Sequence, residues 1–338
     1  MADVLFAIQK ASFMRVAFVY YDYSSFVEQD YEILSRHFDV ERVQYRKPGD
    51  FFEMASSISR SDIVFSWFAS GHSFLSVMLS RLFGKRSLVV AGGYDVTFLP
   101  EIGYGQYTQG WLKRKYTDLA LENADMVLAV SQFTRDEVLK RTKPRRLEVV
   151  YNGVDTEKFH PKGEKEDLVL TVASGSTNVI KLKGLNTFVE AAYLLPNVKF
   201  LIIGVRGDVL NILRSKSPEN VKILGRVSRD ELVECYQRAK VYCQLSYVES
   251  FGMALAEAMA CGCVPVVTDR GALPEVVGDT GFYVPYGDEK ATSEAIRMAL
   301  VSEKFPRDQI ERLFGIERRE RRLVTLLKEL LEKEWSYG

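Results

Sequence analysis

The chain has 338 residues, 47% of them hydrophobic and 27% charged, a composition that excludes a disordered chain and a length that predicts two domains rather than one core. Basic and acidic residues balance at 45 each, so no global attraction to nucleic acid follows. No stretch is long and apolar enough to span a bilayer, and the N-terminus lacks the order of regions of a signal peptide, so the expectation is a cytoplasmic protein.

In chain order, Arg15 to Tyr20 reads as the first strand. Residues 1–13 ahead of Met14 read either as an additional helical cap or as sequence upstream of the true start. The loop Tyr21-Asp22-Tyr23-Ser24-Ser25 leads into a helix over 26–37 and a short strand over 40–44. Its tyrosines form a rim suited either to stacking on a sugar ring or lipid-linked group, or to ordinary loop packing. Strands follow over 63–67 and 87–91, with a helix over 73–83 between them. The second strand ends in Gly92-Gly93-Tyr94-Asp95, where glycines let backbone approach a ligand closely. Over 99–111, Gly103 and Gly105 hint at a dinucleotide fingerprint, but Gly110 is misplaced and no strand precedes them. A mobile loop at the mouth of a cleft, helping to choose an acceptor, is the expectation there. The helix over 111–123 carries Lys113, Arg114 and Lys115 near its start, read as a solvated face or as a surface for anionic acceptors or a membrane. A strand over 126–130, a helix through Arg141 and a strand over 147–150 complete a first domain over 1–160.

The second domain, over 161–305, opens with an apolar strand from Leu168 to Ala173. Its loop runs from Ser174 to Lys183-Gly184 ahead of a helix over 185–194. A Walker loop fails there, because Ile180 replaces the required glycine and Leu182 the hydroxyl residue. Strands over 200–204 and 221–224 follow, the latter leading to Gly225-Arg226-Val227. A buried strand from Val241 to Leu245 then reaches the turn Ser250-Phe251-Gly252, a small-residue helix from Met253 to Cys261, and a strand from Val264 to Val267. In an open parallel sheet ligands sit at the carboxyl ends of strands, which places chemistry at this turn. Glu249 precedes the helix and Glu257 lies in it, about 9 Å along the axis from its start. The amides of Phe251, Gly252 and Met253 stand between the two acids, where the helix dipole favours an anion. Sugar, diphosphate and ribose fit that order.

These residues resemble glycosyltransferase family 4, the retaining enzymes of the two-domain GT-B fold. The family signature E-x-F-G-x4-E, followed by A-M-A-C-G-x-P-V-V, stands here as Glu249-Ser250-Phe251-Gly252, Glu257, and Ala258 to Val267. The resemblance implies an α/β architecture of two doubly wound, Rossmann-like domains facing across a cleft, with a helical segment over 306–338 returning toward the first. It implies that Glu249 binds donor-sugar hydroxyls, that Phe251, Gly252 and Met253, with Ser250 beside them, hold sugar and phosphate, and that Glu257 binds the ribose. Lys183 matches the lysine on the donor diphosphate, and Val227, more weakly Arg226, the base site. Ser174 stands where the family has an arginine, and Lys181 is the candidate for the missing charge. Asp95 matches the acid at its strand end, as an acceptor or sugar ligand or else a cap, with Gly93 and with Tyr94 where a histidine is common. The first loop lacks the family's glycine pair, which implies an altered acceptor side carried by Tyr23 and Ser24.

The catalytic set is therefore Glu249, Lys183 and Asp95, moving a hexose from a UDP-, GDP- or ADP-sugar to a hydroxyl of a glycan, lipid-linked or small-molecule acceptor. No cofactor or metal is expected, since His37, His72 and His160 are scattered without ligand spacing. Cys235, Cys243, Cys261 and Cys263 lack a C-x-x-C pair and read as reduced packing residues. In the tail, leucines at 323, 326, 327, 330 and 331 form an apolar stripe, with Arg318, Arg319, Arg321 and Arg322 on or near the opposite face. That basic cluster reads as a solvated face or as contact with the inner face of a membrane. Ser174 and the missing glycines keep open a catalytically weak nucleotide-sugar or glycan-binding relative, and a nucleotide-sugar epimerase is a further alternative.

Overall fold

The structure is a computed structural model that describes residues 14–174 and 178–332. Residues 1–13, with their two readings, Gly175 of the rejected Walker loop, and the end of the tail lie outside the described residues. The chain divides into two units, one of residues 1–153 and 317–338, the other of residues 154–316.

The first unit alternates β1 (Arg15–Tyr20), α1 (Ser25–Ser35), β2 (Asp39–Gln44), α2 (Phe51–Arg60), β3 (Ile63–Trp67), α3 (Gly71–Leu82), β4 (Arg86–Ala91), α4 (Trp111–Asn123), β5 (Met126–Ala129), α5 (Gln132–Leu139) and β6 (Leu147–Val149). Its six parallel strands run in the order β2-β1-β3-β4-β5-β6. Central strands covered on both faces read as unbroken apolar runs: β3 and β5 are wholly buried, whereas edge strand β2 alternates exposed charges with Val43.

The second unit carries β7 (Glu166–Val172), α6 (Val179–Leu182), α7 (Leu185–Tyr193), β8 (Lys199–Ile203), α8 (Gly207–Lys216), β9 (Val221–Leu224), α9 (Arg229–Arg238), β10 (Ala239–Gln244), α10 (Met253–Ala260), β11 (Val264–Thr268), α11 (Leu273–Val277), β12 (Phe282–Val284), α12 (Glu289–Leu300) and α13 (Arg307–Phe314). Its parallel strands run β12-β11-β10-β7-β8-β9. Counted from β7, that is the doubly wound order 3-2-1-4-5-6 read from the other edge, with the reversal between β7 and β10.

The last helix, α14 (Ile316–Glu332), belongs to the first unit, while α13 belongs to the second, so the division falls at 153/154 and 316/317 rather than at 160 and 305. Val154 explains the shift: its amide donates to the Phe314 carbonyl, and its own carbonyl accepts from Ile316. Arg307 then donates to the carbonyls of Thr156, Phe159 and Ala260, fastening α13 to the second unit.

Two expectations need correction. Arg319 is not on a solvated face: it precedes Leu323 by one helical turn, is 3% exposed, and forms a two-pronged ion pair with the buried Asp30, which also accepts from the Trp67 indole. Breaking such a pair by removing one partner costs about 3–5 kcal/mol, so this contact ties α14 to α1 and β3. The segment over 99–111 is packed rather than loose. Gln106 is buried and donates to the Ala69 carbonyl, and the Tyr107 hydroxyl donates to Asp118.

Candidate functional site

The reversal point of the second sheet brings the loops after β7 and β10 together, and each contributes a charged side chain. Lys183 reaches Glu249 in a direct ion pair, both side chains largely buried. Gln244 Nε2 at 2.9 Å and the Ser246 hydroxyl at 2.8 Å donate to the same Glu249 oxygen. Three donors converge on one carboxylate oxygen, orient Glu249 and leave its second oxygen for a ligand.

Two glycines make this approach sterically feasible. Gly184 has φ +62°, and a Cβ there would stand 2.1 Å from the Leu245 carbonyl oxygen, so only glycine lets the residue after Lys183 press against the end of β10. Gly271, also at φ +62°, would place a Cβ 2.2 Å from the Glu249 carbonyl oxygen. Ala272 donates its amide to that oxygen at 2.8 Å, so the loop after β11 braces Glu249 from behind.

Helix α10 starts beside this pair with Gly252 in the left-handed conformation, no capping side chain and no acid in its first turn. Its start is therefore positive, set for an anion. Ser250, Gly252 and Met253 are half-buried around it, whereas the Phe251 ring is 2% exposed and packs edge-on against Phe314 at 5.5 Å, so Phe251 offers backbone and not its side chain.

Glu257 lies in a separate cluster. It is 2% exposed, takes an ion pair from Arg229 at 2.7 Å, and stands 3.5 Å from the Tyr236 hydroxyl. Burial pushes its carboxyl up and Arg229 opposes that shift. Val227 and the exposed Arg226 lie in the loop just before α9, the helix that carries both Arg229 and Tyr236. The structure thus joins Lys183 with Glu249, and Glu257 with the helix after β9.

Ser174 is exposed at the end of β7 and Lys181 is exposed in α6. Sequence reasoning missed Arg270. Its guanidinium stacks on Tyr247 at 4.4 Å and on Tyr286 at 5.2 Å, and the Tyr286 hydroxyl donates to the Lys181 carbonyl. A second cation, with no ion pair among the described residues, therefore stands beside the loop of Lys181 and Lys183. A basic residue directly before the Gly271 loop was the available signal.

In the first unit, Asp95 departs from the expected ligand role. It is 1% exposed, and the amides of Ala69 (2.7 Å), Gly93 (2.7 Å) and Gly92 (3.3 Å) occupy its two oxygens. Burial pushes its carboxyl up to about 6 against the pull of those amides. It is a loop clamp, the capping alternative, joining the ends of β3 and β4. Gly93, at φ +114°, belongs to that clamp, and Tyr94 is part-exposed, its hydroxyl accepting from Gln109 at 2.9 Å. Tyr23 packs on Tyr20 at 5.1 Å below Arg42, and Ser24 starts α1 with a buried hydroxyl that has no partner among the described residues.

A hollow of about 360 Å³ lies at the reversal point of the first sheet, where β1 sits between β2 and β3. Tyr21, Tyr45, Arg46, His72, Phe74 and Tyr116 line it. Burial lowers His72 to about 4, so its imidazole is neutral at physiological pH and Nε2–H donates to the Trp67 carbonyl at 2.7 Å, leaving Nδ1 as an acceptor. Among the described residues no three His, Cys, Asp or Glu side chains converge to hold a metal, and no helix is long and apolar enough to cross a membrane.

Comparison with known proteins bears on the whole of this arrangement. N-acetyl-alpha-D-glucosaminyl L-malate synthase of Bacillus anthracis is 27% identical over 274 residues, covering 74% of this chain and 68% of that protein. Alpha-maltose-1-phosphate synthase of Mycolicibacterium smegmatis is 28% identical, covering 65% of this chain and 63% of its own length. D-inositol 3-phosphate glycosyltransferase of Mycobacteroides abscessus is 29% identical, covering 58% of this chain and 49% of its own length. The chain thus spans about half to two thirds of these relatives. Among solved structures, Anabaena HepE in complex with UDP and glucose superposes with a TM-score of 0.75 at 16% identity, covering 94% of this chain and all of the other. Sucrose-phosphate synthase of Thermosynechococcus elongatus gives 0.73 at 16% over 94% of this chain and 99% of the other, a likeness of fold alone. The model for glycosyltransferase family 4 matches residues 14–158 and that for glycosyl transferases group 1 matches residues 155–313, so together they span both units, and the chain belongs to glycosyltransferase family 4 with the GT-B fold.

Proposed function

We propose that the protein transfers a hexose from a nucleotide diphosphate sugar to an acceptor hydroxyl with retention at the anomeric carbon and without a metal. The observation that carries this reading is the Lys183–Glu249 pair, held by Gln244 and Ser246 beside the positive start of α10. Glu249 positions sugar hydroxyls through its open oxygen, while Lys183 and Arg270 neutralise the diphosphate together with the α10 amides. Arg270 supplies the charge that Ser174 lacks. The Glu257 cluster takes the ribose, and Val227 meets the base.

The bond from the anomeric carbon to the phosphate oxygen breaks as the acceptor oxygen approaches on the same face. The hydroxyl proton passes to the departing diphosphate, so no covalent sugar–enzyme bond is required. UDP is the first donor nucleotide to test, because HepE was solved with UDP-glucose. For the acceptor, the hollow of the first unit offers a cation, Arg46, a hydrogen-bond acceptor on His72, and aromatic faces. That combination suits a hydroxylated anion, and the relatives' names include L-malate and D-inositol 3-phosphate, both of that class.

The test supplies UDP-, GDP- and ADP-glucose, each with L-malate or D-inositol 3-phosphate as acceptor and a chelator present, and measures nucleotide release and product anomer by NMR. The expected result is release from one donor, chelator-insensitive, with an α-linked product from the α-donor. An inverted product would refute retention. Loss of release on chelation would refute metal independence, and silence with every donor would refute the transfer itself.

A further inference from the structure

We propose that the start of α4 is a docking surface for an anionic lipid bilayer. Its first turn breaks each local rule for a stable helix start. Gly110 precedes it with no capping side chain, its first turn holds no acid, and Lys113, Arg114 and Lys115 sit where the helix dipole repels cations. Trp111 and Leu112 are 76% and 46% exposed, although apolar side chains of that size ordinarily pack. Local violations that gather in one place and leave Trp111 and Leu112 exposed point to a use outside the fold.

The patch extends beyond that turn. The Arg114 guanidinium lies 4.9 Å from the exposed Phe98 ring, and Lys113 donates to Gln109 Oε1 at 2.9 Å. Gln109 Nε2 in turn donates to the Tyr94 hydroxyl, so Tyr94, Phe98, Trp111 and Leu112 share one surface with three cations. Aromatic side chains interleaved with lysine and arginine match the boundary of headgroup and acyl chain, and the charge complements anionic headgroups. In the basic tail, Arg319 pairs with Asp30 and Arg322 with Glu148, while Arg318 and Arg321 are exposed. Of the two basic segments noted in the sequence, α4 is the one whose exposed cations, Lys113, Arg114 and Lys115, are consecutive and stand beside the exposed Trp111, Leu112 and Phe98.

The experiment is co-sedimentation of the full chain with vesicles of phosphatidylglycerol and phosphatidylcholine in equal parts, and with phosphatidylcholine alone. Binding is expected to the first and not the second, and to weaken with added salt. Lys113→Gln with Lys115→Gln should lower partitioning about 25-fold, at about fivefold per cation near an anionic surface. Trp111→Ser should lower it about tenfold. Neither change should reduce the melting temperature or the nucleotide release of the enzyme in solution, since these side chains hold no core contact. Equal binding to both vesicles, no binding to either, or variants that sediment like the parent would each overturn the proposal.

Discussion

In the second unit, the two acids that organise the site lie on one continuous strand, turn and helix between Val241 and Ala260, whereas the hollow of the first unit draws its lining from segments as far apart as Tyr21 and Tyr116. The first kind of site is written in local spacing: a strand end, a turn and a helix start fix where Glu249 stands relative to the α10 amides. The second is assembled by sheet order, and no spacing in the chain announces it. The same difference governs charge. Lys183 and Glu249 pair side chain to side chain at the sheet's reversal point, while Asp95 is spent on backbone amides.

The largest expected effect breaks the second unit's site outright. Lys183→Ala removes a donor from Glu249 and, on the proposed reading, the cation from the diphosphate, so kcat/KM should fall by about 10²–10³, or ~3–4 kcal/mol of transition-state stabilisation. A loss below tenfold would show that Lys183 is not on the reacting phosphate. Gly271→Ala comes next. Its Cβ would collide with the Glu249 carbonyl oxygen and its φ of +62° is strained for alanine, so Glu249 should be displaced and kcat/KM should drop about 100-fold. Nucleotide affinity should change little, because Glu257 is held by α9 and α10 instead. Calorimetric titration with the nucleotide separates the two, and equal damage to binding and turnover would contradict the division into two clusters.

Glu257→Gln should show the converse. If Glu257 takes the ribose as proposed, weakening that buried, charge-assisted contact should raise the nucleotide Kd about tenfold with kcat at saturation within about threefold. Arg270→Ala should lower kcat/KM by a similar factor, and adding Ser174→Arg should restore part of it. A fully active Arg270→Ala would return the burden to Lys181.

Where the sequence fell short, the cause was long-range packing. Both sheets and the boundaries of most elements to within two residues followed from apolar runs, and the family signature singled out Lys183 and Glu249, though not their pairing. Arg319 did not, because its partner Asp30 lies 289 positions away, although its place one turn before Leu323 puts it in line with the apolar stripe. Asp95 was placed at the right strand end, yet its role depended on whether Ala69, in the loop after a different strand, turned its amide inward. The Arg270 stack likewise needs Tyr247 and Tyr286, which follow different strands.

The smallest expected effect is a cancellation, and it tests the clamp role of Asp95 most directly. Asp95 has a folded value of about 6 against 3.8 unfolded, so the native state gains relative stability on acidification through that window, and the gain is lost as pH rises through about 6. His72 has a folded value of about 4 against 6.5, so its contribution is present above 6.5 and lost as pH falls toward 4. Each difference corresponds to ~3 kcal/mol, and the two oppose over nearly the same range. Their joint effect on the pH dependence of the parent's stability should therefore be close to zero between pH 6.5 and 4. Asp95→Asn should unmask the histidine, making the first unit lose about 3 kcal/mol more than the parent on acidification, and His72→Gln should tilt the curve the other way by a similar amount. Denaturant melts across that range measure both differences. If Asp95 instead faced solvent as an acceptor ligand, its substitution would leave the slope unchanged and strike the turnover, so the two roles give opposite patterns in one pair of experiments.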